Sequence, residues 1–348
     1  MRIRRAATLV STFENDKTVL HNFLRKEIFE CTPRVLEILA RLADWIPLED
    51  ALAGLPGDPA ANAEILKTLI SRDIVLLEGS PAAERDQRYR DHWRWGAVAG
   101  FYHFSLRDLE FIDAERKLEQ LREYKAEGDS PPLLTSNDGL DVVEPLPPVN
   151  LDDPFYDILY RRRSRREYAS KPISLQALGN CLFAGKGLKE IGDAGEFGRL
   201  PLTMTPSGGA RNPFELYVWA RAVEGLAPGF YHYSSLEHTL GLVRDDDGAP
   251  PPSRLLGKQE WTNGAAAVVF LCATFERSAW KYRQALAYRV VLMEVGAILQ
   301  NVQLAATHAG IASSPTGALA ETEIERLLGL EEIEQATLFA IVLGAGHE

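Results

Sequence analysis

The sequence predicts an α+β fold organised around one long central helix, with a small winged-helix-like domain in front of it. Three observations predict it. Residues 284–309 keep helical spacing while being apolar nearly all round, so this helix belongs at the centre of the fold or at a subunit interface. Strand-like runs at 214–223, 229–235, 265–274 and 336–344 are few and lie among helices. Residues 126–150 hold five prolines and no Lys or Arg, the composition of an extended, mobile connection, which divides the chain into parts 1–125 and 151–348.

In the first part, 33–45 and 59–71 carry apolar side chains at helical spacing and 73–79 reads as a short strand, which suits three short helices and a β-wing. The aromatic stretch 88–105 closes this domain. GFYHFS at 100–105 and GFYHYS at 229–234 nearly match, but their flanks diverge, so both are expected to be aromatic strands and not a repeat. After the connection, 153–163 reads as a helix capped by Asp152 and Asp153, and 174–188 as one capped by Ser174. The runs 214–223 and 229–235 pair around a Gly-Leu-Ala-Pro-Gly turn, and 265–274 is a buried strand. Residues 318–330 form a short helix and 336–344 the closing strand.

Composition narrows the function classes. Of the 348 residues, 46% are hydrophobic and 25% charged, as in ordinary globular proteins. The net charge is −11, which repels polyanions and argues against nucleic-acid binding. Residues 1–125 carry 19 basic and 21 acidic side chains, a net of −2, leaving −9 for the rest, so a basic cluster in the second part stands out. The run 265–274 falls far short of the about 20 residues a membrane helix needs, and the apolar stretch near the start is too short for a signal peptide, so a cytoplasmic protein without a membrane span is expected. Cys31, Cys181 and Cys272 are far apart with no metal-ligand spacing, and neither is there any among His103, His232 and His238, so no metal is expected. No G-x-S-x-G elbow offers a hydrolase nucleophile.

Three segments suit chemistry. Residues 161–166, RRRSRR, set five guanidiniums and a hydroxyl where a phosphate dianion would be welcome; a solvated helix end explains the same letters. Residues 206–213, PSGGARNP, would let a flat ligand approach the backbone, or make an ordinary tight turn. Residues 310–317, GIASSPTG, leave the long helix with free N–H groups, or form a plain helix C-cap at Gly310 followed by a Pro-containing loop. None matches a Walker loop or a dinucleotide fingerprint.

Taken in order, RRSRREY, PSGGARNPFELYV, GLAPGFYHYSSLEHTL, EVGAILQNVQLAATHAGI and FAIVLGAG resemble the nitroreductase superfamily, specifically its SagB-type dehydrogenases, over about 150–346. The resemblance implies a nitroreductase-like homodimer with FMN at each interface. Arg162, Arg163, Ser164 and Arg166 would hold the FMN phosphate and ribityl chain. Pro206, Ser207, Gly208, Gly209 and Arg211 would approach the ring system from the partner subunit, and Pro315, Thr316 and Gly317 would face its N5. The basic residues that many relatives carry after the last strand are missing, which shifts phosphate charge onto 162–166, helped by Arg283 or Arg289.

Azoline-oxidising members carry a Lys-Tyr pair before the central helix, matched here by Lys281 and Tyr282, which implies the catalytic base; a snorkelling Lys beside an interface Tyr is the plainer alternative. Adjacent residues line one pocket only from a loop or a first helical turn. The implied function is oxidation of thiazolines or oxazolines in a modified precursor peptide, with a YcaO-type cyclodehydratase as a further partner. The alternatives are an NAD(P)H-dependent reductase of small molecules or non-ribosomal peptide intermediates, and a peptide-recognition subunit.

Overall fold

The run Ala267–Thr274 is buried on both of its faces, and the fold follows from covering both. The computed structural model describes residues 1–128, 133–134 and 144–347. The amino-terminal part runs β1 (Arg2–Arg5), β2 (Leu9–Glu14), β3 (Lys17–Asn22), β4 (Glu27–Cys31), α1 (Pro33–Arg41), β5 (Ile46–Pro47), α2 (Leu48–Ala53), α3 (Pro59–Ser71), β6 (Val75–Leu77), α4 (Pro81–His92), α5 (Gly96–Ser105) and α6 (Ala114–Glu127). The second part runs α7 (Pro154–Arg161), β7 (Ile173–Ser174), α8 (Leu175–Lys186), β8 (Leu188–Asp193), β9 (Arg199–Thr203), β10 (Phe214–Ala220), β11 (Val223–Glu224), β12 (Gly229–Ser234) and β13 (Thr239–Asp245). It continues through α9 (Pro252–Leu255), β14 (Ala267–Thr274), α10 (Phe275–Ala279), α11 (Leu286–His308), β15 (Ile311–Thr316), α12 (Glu321–Leu328) and β16 (Gln335–Ala345).

The main sheet is antiparallel throughout, in the order β13-β12-β10-β14-β16-β15. Side chains alternate across it: Val269, Leu271 and Ala273 of β14 join Ile341 and Leu343 of β16 under α8 and α11, while Val268, Phe270 and Cys272 join Ala340 and Val342 under α9 and α12. The α+β layout is as expected, and α11 is its central helix. Its buried face includes Tyr288, Val291, Glu294, Val295, Ile298 and Val302. Leu286, Val290 and Met293 are left exposed. Among the described residues α11 is long and apolar enough to cross a bilayer, a possibility the run 265–274 did not flag; the buried Glu294 and the packing on the sheet explain its apolarity as a core helix.

The amino-terminal part carries its own cluster around Ile3, Ile38, Leu66 and Val75, where α1 and α3 cover the small sheet β5-β1-β6. The meander β2-β3-β4 was not foreseen. Two expectations are corrected. Residues 100–105 are helical, inside α5, with Ala99, Gly100, His103 and Phe104 buried at helical spacing. Residues 311–316 are not a loop but the edge strand β15; Gly310, at φ +69°, does end the helix. The Pro-rich connection at 126–150 lies largely outside the described residues; α6 reaches Glu127, and 144–150 are exposed with no helix or strand.

Candidate functional site

The expected site residues fall into two sets. In the first, α7 is N-capped by Asp153, whose carboxylate accepts from the Phe155 amide at 2.9 Å, and ends at Arg161; the chain then runs extended beside β15. Ser164 bridges Ser313, and the Arg165 amide donates to the Ser313 carbonyl at 2.9 Å. Arg163 and Arg165 line a cleft of about 460 Å³ with Thr307, Gly310 and His347. Arg166 stands over the Trp261 ring, 5.6 Å from its centre. Among the described residues Arg162, Arg163, Arg165 and Arg166 have no carboxylate partner, unlike Arg161, which pairs with Asp157 at 2.8 Å. Pro315 sits in edge strand β15, where its missing N–H costs no central ladder bond, and the Thr316 hydroxyl accepts from Gln259 at 2.7 Å. Gly317 closes on Phe339: a Cβ there would come within 2.8 Å of that ring.

The second set surrounds the loop 206–212. Gly209, Ala210 and Asn212 all have positive φ, so the loop is held against the preference of two of its residues, and buried polar groups do the holding. The Ser207 hydroxyl donates to Glu294 Oε2 at 2.9 Å and accepts from the Asn212 amide at 2.8 Å. Lys186 Nζ donates to Asn212 Oδ1 at 2.6 Å. Burial lowers the Lys186 ammonium to about 8, Glu294 and Glu215 opposing. Burial likewise pushes the Glu294 carboxyl above its usual range, and Ser207, Lys186 and the Gly208 amide only partly offset that. Pro206 is exposed at the loop's entrance. Arg211 Nε donates to the Arg277 carbonyl at 2.7 Å, and its guanidinium lies 4.7 Å from the centre of Trp280.

This loop meets the segment between α10 and α11. Gly208, Lys281, Tyr282, Arg283 and Val290 line one cavity of about 680 Å³. A Cβ on Gly209 would lie 2.3 Å from the Tyr282 hydroxyl and 2.9 Å from Lys281 Nζ, so only glycine leaves room for the pair. Lys281 and Tyr282 are on a loop, the geometry that lets adjacent residues share a pocket, and Nζ lies 5.3 Å from the Tyr282 ring centre. Arg283 belongs to this second set, and Arg289 lies exposed on α11. Val290, beside Gly208, and Thr307, in the arginine cleft, are 17 residues apart along α11, about 25 Å at 1.5 Å per residue.

Residues 159–346 match the nitroreductase family. The chain belongs to that family. A nitroreductase-like protein of Methanocaldococcus jannaschii is 35% identical over 51% of this chain and 84% of its own length. The trifolitoxin-processing protein TfxB of Rhizobium leguminosarum bv. trifolii is 32% identical over 40% of this chain and 38% of that protein. The microcin B17-processing protein McbC of Escherichia coli is 29% identical over 40% of this chain and 53% of that protein. The chain therefore spans well under two thirds of these two processing proteins. Among solved structures, a nitroreductase from Ralstonia eutropha is similar at 22% identity with a TM-score of 0.46, covering 59% of this chain and 88% of that one.

For a nitroreductase-family chain the group to test against the site is a flavin mononucleotide, and the residues fit it. Unpaired guanidiniums beside a serine suit its phosphate, and Gly208 and Gly209 keep the second set open to a flat ring. Three residues that hold these loops escape a reading by motif. Trp95 Nε1 donates to the Tyr282 carbonyl at 2.8 Å, pinning the Lys281–Tyr282 loop from the amino-terminal part. Lys186 and Glu294 brace the 206–212 loop; Glu294 is the one charged residue in the otherwise apolar run 290–299 of α11, a signal that was there to be seen.

Proposed function

We propose that this nitroreductase-family chain is an FMN-dependent dehydrogenase of the SagB type, oxidising thiazolines or oxazolines of a modified peptide to the aromatic thiazoles or oxazoles. The observation that carries the proposal is the Lys281–Tyr282 pair on one loop, in one cavity with Gly208 and against Gly209. The names of two relatives, both peptide-processing proteins, support the substrate class. Bound FMN would supply the acceptor for the hydride lost from the azoline ring, with dioxygen as the final oxidant. Arg162, Ser164 and Arg166 would hold its phosphate, with Arg163 reaching from the adjoining cleft, and Pro315, Thr316 and Gly317 would border the ring.

Lys281 or Tyr282 takes the proton from the ring carbon, and the other holds it in place. A general base is worth about 100- to 10,000-fold in rate. A homodimer completes the site: about 25 Å separates the arginine cleft from the 207–209 loop within one chain, so the partner subunit's loop would approach this chain's flavin. The exposed stripe of Leu286, Val290 and Met293 on α11 gives the two copies an apolar surface to bury. A YcaO-type cyclodehydratase would make the azoline substrate in a cytoplasmic pathway, with residues 1–125 as a winged-helix-like unit facing peptide or partner.

The test is mass spectrometry of an azoline peptide before and after incubation, each oxidation removing two hydrogens. Lys281→Ala and Tyr282→Phe should each keep bound FMN and lose at least about 100-fold in oxidation. Oxidation at the unmodified rate by both variants removes the base from this pair.

A further inference from the structure

The β8–β9 hairpin roofs a second cavity, of about 490 Å³, which shares the 206–212 loop with the first: Asn212 lines this one and Gly208 the other. Ile191, Pro201, Phe214 and Leu236 make much of its wall apolar. Into it faces Lys186, a residue 3% exposed. Among the described residues its one hydrogen bond goes to Asn212 Oδ1. An ammonium has three donors, so two N–H groups remain for whatever fills the space. The other charges of the cavity are largely spent on each other: Arg277 pairs with Glu215 at 2.5 Å, and Glu215 also accepts from His232 at 2.9 Å. Among the lining residues Lys186 and Arg199 are left in excess. Glu294 of α11, outside the lining but near enough to favour the Lys186 ammonium, is engaged by the Ser207 hydroxyl and pushed by burial toward its neutral form, so the lining itself is cationic.

We propose that this cavity binds a carboxylate carried on an apolar arm, with Lys186 as its counter-ion. One compact ammonium suits a monoanion, whereas a phosphate dianion favours guanidinium forks, and the fork of Arg277 is already engaged by Glu215. Burial is the main reason that the Lys186 ammonium falls to about 8, and an anion in the cavity would relieve that burden. The carboxylate has two possible sources: a free small acid or, resting on the peptide-oxidising function proposed above, an acidic residue of the peptide substrate beside the ring being oxidised.

The probe is 3-phenylpropanoate, titrated calorimetrically into the purified full-length protein against the neutral 3-phenylpropan-1-ol. The acid should bind at least about tenfold more tightly, the scale of a charge-assisted hydrogen bond in a sheltered site. Lys186→Met should erase that preference while the alcohol still binds. Because Lys186 also braces Asn212, a second variant is needed: Ile191→Trp fills the cavity from a wall residue that is 38% exposed and leaves the Lys186–Asn212 bond alone. It should abolish binding of both probes. Equal affinities for acid and alcohol, no binding of the acid, or acid binding that survives Ile191→Trp each overturns the proposal. Azoline peptides with Glu or Gln beside the ring then separate the sources. A KM lower for the Glu peptide in the parent protein but not in Lys186→Met assigns the site to the substrate; equal KM values with 3-phenylpropanoate binding intact assign it to a free acid. Since the titration needs no turnover, a failure of azoline oxidation would sink the proposed function and leave this site standing.

Discussion

Trp95 and Tyr282 are 187 positions apart in the chain, and one hydrogen bond joins them. The Trp95 indole is buried in an aromatic cluster with Phe275 and Tyr288, so its N–H has a fixed direction. What it fixes is the backbone of the residue proposed to help move a proton. A neutral hydrogen bond is worth about 0.5–1.5 kcal/mol net, so Trp95→Phe should lower azoline oxidation by no more than about tenfold. Flavin content should not change, because Trp95 meets the second set only at the Tyr282 backbone carbonyl and lies outside the arginine cleft. The effect should also vanish in a Tyr282→Phe background, since a positioning residue has nothing left to position there. An equal loss in both backgrounds, read from steady-state kinetics, would make Trp95 a packing residue only.

At the scale of elements, local pattern was a good guide where one face of an element decides its burial. Helix α7 was legible from its Asp153 cap, and α8, α11 and strands β10, β14 and β16 because apolar spacing agrees with their packing, α8 also through Ser174, whose hydroxyl accepts from the Ala177 amide at 3.1 Å. The near-identical hexapeptides show where that stops. GFYHYS pairs on both sides, with β10 and β13, and is a strand; GFYHFS lies in α5, where its glycine lets the helix sit against Tyr89 and Trp93, to which a Cβ would come within 2.5 and 3.1 Å. Aromatic letters fit either state, and the neighbours choose. The β8–β9 hairpin was missed because its burial is slight, so its apolar alternation is weak. In the site, the 207–209 loop and the Lys281–Tyr282 pair were each implied by the family resemblance but their meeting in one cavity was not, and Trp95, Lys186 and Glu294 act through contacts distant in sequence. The segment 162–166 suits an anion or a solvated helix end equally by its letters; among the described residues the guanidiniums after Arg161 have no carboxylate partner, which gives the anion reading a magnitude. Removing two charge-assisted bonds, each about 1.5–3 kcal/mol, should weaken FMN binding by about 100-fold or more. Arg162→Ala with Arg166→Ala should therefore purify colourless with an unchanged far-ultraviolet circular dichroism spectrum; full occupancy would return the cluster to a solvated helix end.

At the scale of the whole molecule, two sets of residues that meet α11 about 25 Å apart, at Val290 and Thr307, make sense if each site draws on both subunits. That arrangement allows complementation. A heterodimer of the Arg162→Ala/Arg166→Ala chain with the Lys281→Ala chain has one site in which both sets are intact, so co-expression should recover up to about half of the activity per dimer when each variant alone is inactive. No recovery, with heterodimers present by native mass spectrometry, would place both sets in one subunit's site.

The amino-terminal part bears on the same question of what one chain can do alone. A Pro-rich connection at 126–150 invites a separable recognition domain, and on that view residues 151–348 would fold alone and keep a flavin. The packing argues otherwise. Trp93, Trp95 and Phe104 share one hydrophobic cluster with Phe275, Tyr288 and Val291, and His103 Nδ1 lies 2.9 Å from the Tyr288 hydroxyl. Arg107 forms a buried ion pair with Glu325 of α12, whose other oxygen accepts from the Thr337 amide at 2.9 Å. Deleting residues 1–125 would expose the aromatic face of α10 and α11 and strip Glu325 of its guanidinium partner. Breaking a buried pair by removing one partner costs about 3–5 kcal/mol, a large share of the about 5–15 kcal/mol that a folded chain has in total. A protein of residues 151–348 alone should therefore be insoluble or lack flavin. A chain cut at an inserted protease site within 126–150 should instead elute as two fragments held together, with flavin retained. A soluble, flavin-loaded fragment 151–348 in size-exclusion chromatography would show that the shared core is dispensable and that the amino-terminal part is an appended module after all.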